Sequence, residues 1–533
     1  MICNCLNRQL VYLIICGLVC LCSLAGCTQH NYKKEADEQV YNIIDQKWRQ
    51  DFGTKANYKI SDTAPSPNDI QIEKTIPASG VLSLPRAVAI ATAYNREYQL
   101  QKETLYTMAL DLRLTRHQFE TQYFAGLSGG YDADRNEAAI GAKTNSGFNR
   151  LLETGTLISA KVSSAWLDVL TGNMKGGLAS ILTATIYQPL LRGSDPKVVL
   201  ENLTQAERDT LYQVRTFNRF RQTFVVSVIA QYYDVLELYD LTRNAESNYN
   251  TLALLYGRVE KLTNAGRLPT LEIDRVRQEM LKARDIHVQA RKEYESLLDL
   301  FKITLSVPTT AEFQLDVSEL EALRAAERAG PDFAEDEAIE TALYRRLDLV
   351  NNAESVIDAQ RKVFVAVDAL RADLSITGTS NVASQQQGNR QSLQVANDYN
   401  LDFELSLPVD RVAEQNVYRK ALITLNQRQR EYELAADTIR LEVRQDYRDL
   451  AEAAERYRIQ SEALKVAQER FRKTNLLMQY ARASSRRVLT AQGDLFEAQN
   501  EATQALVNYA KATLDFYSDT GVLQVRPDGM WEH

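Results

Sequence analysis

The sequence predicts a mainly α-helical protein with a small β component, built from two copies of one plan. Three observations support this prediction. Two long stretches contain very few helix breakers, four short segments alternate apolar and polar residues, and residues match at a constant offset of 215 positions. The helical stretches exceed the length of a globular-domain helix, so we expect an extended coiled coil or a barrel of helices.

The helices are predicted from two stretches that are rich in Ala, Leu, Glu, Gln and Arg, which are strong helix formers. Residues 409–526 contain no proline and two glycines, and residues 197–307 contain one proline and two glycines. As one helix, residues 411–480 would be roughly 100 Å long. We therefore predict long helices at about 197–305 and 411–520.

The duplication is visible when Gly266 is set against Ala481. Further pairs then match downstream, namely Ala283 with Ala498, Ala290 with Ala505, Tyr294 with Tyr509 and Phe301 with Phe516. So many matches at one offset predict two repeats, separated by an acidic connector and followed by a short tail. We place the first repeat at 82–310, the connector at 311–335, the second repeat at 336–523 and the tail at 524–533.

Four predicted strands interrupt the helices, at about 119–132, 178–190, 371–380 and 400–408. The clearest alternation sets Leu401, Phe403 and Leu405 against Asp402 and Glu404. This pattern is typical of a barrel wall that separates lipid from a wet lumen, although a half-buried sheet in a soluble domain also shows it. The polar stretch at 132–177 leaves room for a short hairpin near 155–166, which we expect outside the bilayer.

Four strands are too few to close a membrane barrel. Small barrels have about eight strands, and an open sheet edge in lipid leaves unpaired backbone groups that cost several kcal/mol each. If these strands cross a membrane, several protomers must share one barrel. Three copies would supply twelve strands, but the strand count alone does not determine the number of copies.

The N-terminus has the features of a bacterial lipoprotein signal peptide over residues 1–26. The apolar run from Leu10 to Cys22 is too short for a membrane helix, which needs roughly 20 residues. It is followed by Leu24, Ala25, Gly26 and Cys27, which resemble a lipobox, so we expect acylation of Cys27 and a lipid-anchored linker at 27–81. All six cysteines lie at or before position 27, and the alternative is an ordinary buried cysteine.

The residues that catalysis would require are not found. The four histidines, at positions 30, 117, 287 and 533, lack metal-ligand spacing, and there is no phosphate-binding glycine loop. A net charge of −8 argues against a nucleic-acid partner. We therefore expect no enzyme, no cofactor and no resident metal.

Taken in order, these elements resemble the TolC-type outer-membrane factor family, in a lipoprotein-anchored form. The resemblance covers about residues 82–523 and is clearest at the strand-to-helix junctions Gln188–Gly193 and Leu405–Arg411. It implies a homotrimer with a twelve-stranded barrel in the outer-membrane lipid and a periplasmic helical tunnel. Such a protein is a passive exit duct of a tripartite efflux or type I secretion system. Its implied partners are a periplasmic adaptor and an inner-membrane pump of the RND or ABC type.

Two other classes of function remain open. A lipid-anchored periplasmic coiled-coil scaffold or adaptor without a pore would also contain long helices, but it would not need four barrel-type strands. A lipoprotein enzyme would need a catalytic constellation, which we do not find.

The resemblance also points to two turns and an entrance to the tunnel. The turns that would contact the adaptor are Gly266, Arg267 and Leu268 in the first repeat and Ala481, Arg482 and Ala483 in the second. The entrance positions are Arg486, Arg487, Thr490, Glu272 and Asp274.

The second repeat departs from the family pattern at this entrance. Relatives have acidic residues at the positions of Arg487 and Thr490, and a glycine at that of Ala481. Two interpretations of Arg487 follow. It lines the pore and disfavours cations, or it pairs with Glu272 or Asp274 of a neighbouring helix.

Overall fold

The protein is described here by a computed structural model, which covers residues 29–49, 55, 57–60, 80–133, 138–171, 177–325, 334–386, 393–407, 409–480, 482–526 and 531–532. Three features from the sequence lie outside these residues, namely the signal peptide, Cys27 and Ala481. The described chain is mostly helical with a minor sheet part, which confirms the predicted fold class at that level.

The first half of the chain contains three helices, then a group of long strands, a pair of long helices preceded by a single helical turn, and a last short helix. Its elements are α1 (Gln29–Lys47), β1 (Val81–Leu82), α2 (Leu84–Tyr94), α3 (Arg96–His117), β2 (Gln122–Ala133), β3 (Ala138–Leu151), β4 (Leu157–Thr171), β5 (Gly177–Pro189), α4 (Pro196–Val199), α5 (Glu201–Asn264), α6 (Thr270–Thr304), β6 (Gln314–Leu315) and α7 (Ser318–Ala325).

The second half follows the same order with fewer strands. Its elements are α8 (Glu335–Arg345), α9 (Leu347–Asp368), β7 (Asp373–Gln386), β8 (Leu393–Ser406), α10 (Val412–Gln479), α11 (Ser485–Asp519), β9 (Gln524–Val525) and β10 (Trp531–Glu532).

Helix lengths agree between the two halves. Helices α2 and α8 both have 11 residues, α3 and α9 both have 22, and α6 and α11 both have 35. The longest helices, α5 and α10, have 64 and 68 residues. At 1.5 Å per residue each is about 100 Å long, so they determine the length of the molecule.

The six long strands form one antiparallel sheet, in the order β2-β3-β4-β5-β7-β8. The four two-residue strands form two separate pairs, β1 with β6 and β9 with β10. The expectation of four strands per protomer is therefore not met. The segment expected to hold only a short hairpin contributes β3 and β4, which are 14 and 15 residues long. Both strands pair along their length with their neighbours, so this hairpin lies inside the sheet.

The main core lies where the helices meet below the sheet. Its largest fully buried side chains include Tyr232 and Phe217 of α5 and Phe301 of α6. Burying such a side chain stabilises the fold by roughly 1.5–3 kcal/mol. Helix α1 joins this core through Val40 and Ile44, so the segment expected to be a linker contains a helix that packs on the body.

A separate apolar cluster holds the far ends of the long helices together. It comprises Leu252, Leu255 and Val259 of α5, Val276 and Ala283 of α6, and Val488 of α11. Because it joins α5 and α6 to the first turns of α11, it fixes the two helical turns at that end relative to each other.

Candidate functional site

The six-stranded sheet has two unpaired edges, β2 and β8, within the described residues. Between these edges, one row of backbone partners crosses every strand, namely Tyr123, Phe148, Ala160, Ala184, Ser380 and Tyr399. Because directly opposed residues point to the same side of a sheet, this register determines which side chains share a face.

One face of the sheet is apolar from edge to edge. Phe403 is opposite Ile376, and Val162 is opposite Leu182. On strand β7 this face carries the half-buried Leu374 and Ile376. The other five strands carry exposed apolar side chains on it, including Tyr123, Leu127, Tyr131, Ile140, Val162, Trp166, Leu182, Ile186, Tyr399, Leu401, Phe403 and Leu405. Phe403 is 67% exposed, and no residue within the described ranges covers it. A continuous apolar surface of this extent indicates contact with lipid or another protein.

The opposite face is polar. It carries Lys143 on β3, Lys161 on β4, and Asp402 and Glu404 on β8, all exposed, with Ser, Thr and Asn between them. Among the described side chains, the large apolar ones exposed on this polar face are those of Phe124, Leu157 and Ile181. The predicted apolar and polar sides of residues 401–405 are thus on opposite faces of this sheet, and the register extends both faces across the other strands.

A tight turn attaches the β3–β4 hairpin to the strand-to-helix junction. In this turn Gly155 has a φ of +76°, and its N–H donates to the Leu152 carbonyl at 2.9 Å. The Thr156 hydroxyl donates to the side-chain oxygen of Gln188, whose amide donates to the Thr154 carbonyl at 3.4 Å. Gln188, noted in the sequence as part of a junction, therefore anchors the turn of the hairpin.

A buried carboxylate ties the same junction to the second repeat. Asp368, at the end of α9, accepts a 2.8 Å hydrogen bond from the Gly193 N–H and a 3.1 Å bond from Arg371. Further down the same helix, Asp358 accepts a 2.7 Å bond from each of Tyr212 and Arg361. Burial would raise the pKa of Asp358, but these two bonds hold it below its usual value.

At the other end of the molecule, helix α5 ends at Asn264, and Gly266 follows its C-cap. Its φ is +73°, and its N–H donates to the Thr263 carbonyl while the Arg267 N–H donates to the Leu262 carbonyl, at 2.8 and 2.9 Å. This pair of bonds is a Schellman motif, in which glycine is favoured because a side chain strains the left-handed conformation. Leu268 then packs on the far-end cluster, while Arg267 stays exposed.

Helix α10 ends in a matching way. The Arg482 N–H donates to the Leu477 carbonyl at 2.8 Å, which is the counterpart of the Arg267 bond at the offset of 215. Arg482 is exposed and Ala483 is half-buried. The two turns (which we name the tips) therefore share a backbone bond and lie at the same end of the long helices.

The entrance residues lie just beyond the tips, and Glu272 connects the helix that follows the first tip to the helix that follows the second. Its carboxylate accepts from Arg275 at 2.7 Å and from the Ser485 hydroxyl, which links α6 to α11. Asp274, two residues further along α6, is exposed.

Arg486 and Arg487 take no part in this bond. Arg486 and Arg487 are exposed and form no ion pair with a residue that the structure describes, while Thr490 donates to the Arg486 carbonyl. Within one protomer, Glu272 therefore does not hold Arg487. Pairing between copies stays a prediction.

Two carboxyl groups on the long helices have pKa values raised to about 7. Burial and the neighbouring Asp519 raise the pKa of Asp446 to about 7. Burial and Asp234 raise the pKa of Glu237 to about 7, against the opposing effect of Lys511. Neither Asp446 nor Glu237 lies in a cleft with a nucleophile, so their raised pKa values affect the stability of the fold rather than a reaction.

The described part of the chain shows no site for a metal ion, since no three potential ligands lie together there. None of the described helices has an apolar stretch long enough to span a bilayer.

Solved structures of bacterial channels share this architecture. Neither a protein-family model nor a curated protein matches the chain. CusC has a TM-score of 0.61 and 15% identity, with 87% of this chain and 98% of CusC covered. The fold is that of the TolC-type outer-membrane factors. The CmeC outer membrane channel of Campylobacter jejuni has a TM-score of 0.61 and 14% identity, with 88% and 93% covered. The MtrE outer membrane channel of Neisseria gonorrhoeae has a TM-score of 0.60 and 14% identity, with 88% and 97% covered.

The resemblance stated from the sequence is confirmed as an outer-membrane-factor fold, and the structures that share it are channels rather than enzymes. The structure brings the two tips to one end of the long helices, and their contact with an adaptor stays a prediction. Sequence reasoning missed the bonds from Tyr212 to Asp358 and from Gly193 to Asp368, because the two residues of each pair are 146 and 175 positions apart. It expected only a short hairpin near 155–166 and so underestimated β3 and β4, although Val162 and Trp166 alternate with Lys161 and Ser163 in the sequence.

Proposed function

We propose that this chain is the subunit of an outer-membrane exit duct. Copies share one barrel, and their long helices continue it as a tunnel across the periplasm. The single observation that supports this most is the one-sided sheet, apolar on one face and polar on the other, with both edges unpaired. Such a sheet is unsuited to water on its apolar side and to lipid at its edges. A bilayer around the apolar side removes the first problem, and pairing the edges with further copies removes the second.

Three copies form the assembly in this proposal, in line with the family that the sequence resembles. Strand β2 of one copy pairs with β8 of the next, so the apolar faces form one outer band and the polar faces line the lumen. The duct is passive. It takes its cargo from an inner-membrane pump of the RND or ABC type through a periplasmic adaptor, in efflux or type I secretion.

The test is to reconstitute the purified full-length chain in planar bilayers. We expect stepwise conductance and an oligomer on gels that dissociates on heating. A lipid-anchored scaffold or adaptor would give neither.

Cysteine cross-linking then locates the shared edges. Cysteines at Ala125 or Leu127 of β2, combined with Leu401 of β8, should link neighbouring copies. A matched pair at Ile186 and Gly378 is opposed inside one sheet, so it should link only within a chain. Intermolecular links from the inner pair but not from the edges would refute the shared barrel.

The anchor is proposed to be lipid on Cys27. Because every other cysteine precedes it, Cys27→Ser should abolish labelling by palmitate and leave uncleaved precursor. Palmitate on the Cys27→Ser protein would contradict the proposal.

Adaptor docking is proposed at the tips, with Gly266, Arg267 and Leu268 on one and Ala481, Arg482 and Ala483 on the other. Their common position at one end of helices about 100 Å long supports this assignment. The exposed Arg486 and Arg487 lie beside them and are proposed to line the entrance, where focused positive charge disfavours cations. A shift toward cation selectivity in Arg487→Asp pores is the expected result, and unchanged selectivity would contradict it.

A further inference from the structure

The β3–β4 hairpin has the dimensions of the other sheet strands. Its strands are 14 and 15 residues long, and the remaining four are 12 to 14 residues long. Transmembrane strands need about 9–11 residues when tilted. Each strand of the hairpin is therefore long enough to cross the same layer as its neighbours.

The hairpin also continues both faces of the sheet. Val162 and Trp166 lie on the apolar face, in line with Leu182 on the next strand. Lys143 and Lys161 lie on the polar face and are exposed. A hairpin standing free above the membrane would have water on both faces and no need for this alternation.

Its turn is built into the junction between sheet and helices. The Thr156 hydroxyl bonds to Gln188, and Gly155 lies against the backbone of Gly193 and the ring of Pro189. The hairpin thus spans the sheet from the helix end to the opposite end. It does not hang from the outer end as a loop would.

We propose that this hairpin is part of the transmembrane wall, so that each protomer supplies six strands and three copies close an eighteen-stranded barrel. This proposal rests on the proposed function, since it needs a shared barrel. The occupant of each open edge is a second copy of the same chain, with β2 against β8.

The consequence is a wide exit. Barrel diameter grows roughly linearly with strand number, so eighteen strands give about 1.5 times the diameter of twelve. The cross-section more than doubles, and barrels of about 16–18 strands leave an aqueous channel. The duct would thus release hydrated polymers that are too wide for a twelve-stranded exit, along a wall that carries Lys, Asp and Glu among Asn, Ser and Thr side chains.

Cysteine scanning of the full chain tests whether the hairpin is in the wall. Lys161→Cys and Ser163→Cys should react with a membrane-impermeant maleimide, and Val162→Cys should react only with a lipid-soluble one. The chain helps here, because all its own cysteines lie at or before position 27. Equal labelling of all three by the impermeant reagent would place the hairpin in water and overturn the proposal.

A deletion tests the width. Joining residue 137 to residue 172 removes both strands and leaves β2 antiparallel to β5, with Tyr123 able to lie opposite Ala184 on the same face. Poly(ethylene glycol) of graded size, added from the outer side, should be excluded at about two-thirds of the wild-type diameter. An unchanged cut-off would overturn the proposal.

The number of copies is read separately, from the mass of the cross-linked assembly. A three-copy mass supports eighteen strands, and a two-copy mass overturns that count because two copies would close with twelve. A wild-type chain that makes no pore contradicts the proposed function itself. A pore whose cut-off ignores the hairpin contradicts only this inference. If the deletion variant does not assemble, the labelling pattern decides.

Discussion

Replacing Gly155 by alanine should destabilise the sheet at the point where the hairpin meets the helices. The residue has a φ of +76°, which strains any side chain. A Cβ there would lie 2.5 Å from the carbonyl oxygen of Gly193 and 2.9 Å from Cγ of Pro189. Neither neighbour is the flexible end of a side chain, so the turn itself must move.

The chain provides a matched control at Gly193. Its φ is +72°, but nothing lies within 4 Å of a Cβ built there. Gly193→Ala should cost only the left-handed conformation, about 1–2 kcal/mol. Gly155→Ala should add an overpacking cost of about 1–3 kcal/mol, for a total of about 2–5 kcal/mol. The difference between the two variants isolates the steric clash.

The assay is urea unfolding of both variants and the wild type in the same detergent or lipid, with the midpoint and slope measured for each. We expect the midpoint of Gly155→Ala to fall clearly below that of Gly193→Ala, with equal slopes. Equal midpoints for the two variants would refute the reasoning, because the turn would then not press on the junction.

Three further predictions concern the wall, the helices and the tip. Phe403→Arg should cost about 2–4 kcal/mol and reduce assembly, whereas Glu404→Arg should alter conductance and leave assembly intact; equal loss of oligomer from both would show that the faces are misassigned. Because the pKa of Asp446 is raised to about 7, the folded state binds more protons than the unfolded state, and stability falls as pH rises from about 4 to about 7. Asp446→Asn should remove this dependence of stability on pH. It should raise the free energy of unfolding at pH 8 by about 1–2 kcal/mol, a figure reduced because the carboxyl is partly exposed, and unfolding midpoints at pH 5 and pH 8 measure the effect. Gly266→Val should keep membrane insertion but reduce adaptor cross-linking and transport, while Gly257→Val, which has open space beside it, should change neither.

Much of the fold could be predicted because its determinants are periodic and local. Helices α5 and α10 are encoded by composition and by the near-absence of breakers, which need no tertiary information. The two faces of β8 are encoded by strict alternation between Leu401 and Leu405. The tip at Gly266 was visible because a glycine after a long helical pattern is a common helix end.

The hairpin was underestimated because its alternation is diluted by small residues. Strand β3 contains Gly141, Ala142, Ser146 and Gly147, which read locally as a polar loop. Their strand conformation depends on the ladders to β2 and β4, and pairing of this kind is settled by tertiary context more than by local propensity.

The polar bonds of the junction could not be predicted for a different reason. Gly193 and Asp368 are 175 positions apart, and Tyr212 and Asp358 are 146 apart. No local pattern specifies such a pair. The pairing depends on how the two repeats pack side by side, and both hydrogen bonds join one repeat to the other.

The register explains how a duplicated sheet can hold more strands in one repeat than in the other. Inserting one strand between β2 and β5 would reverse the direction of everything that follows, and the chain would leave the sheet at the wrong end. Inserting a hairpin preserves direction, so β5 still delivers the chain to Gln188 and the helices. The register also stays in phase, since Tyr123, Phe148, Ala160 and Ala184 form one row. A one-residue slip would turn the apolar side chains toward the polar face, so the inserted turn at Gly155 must hold the phase as well as the position.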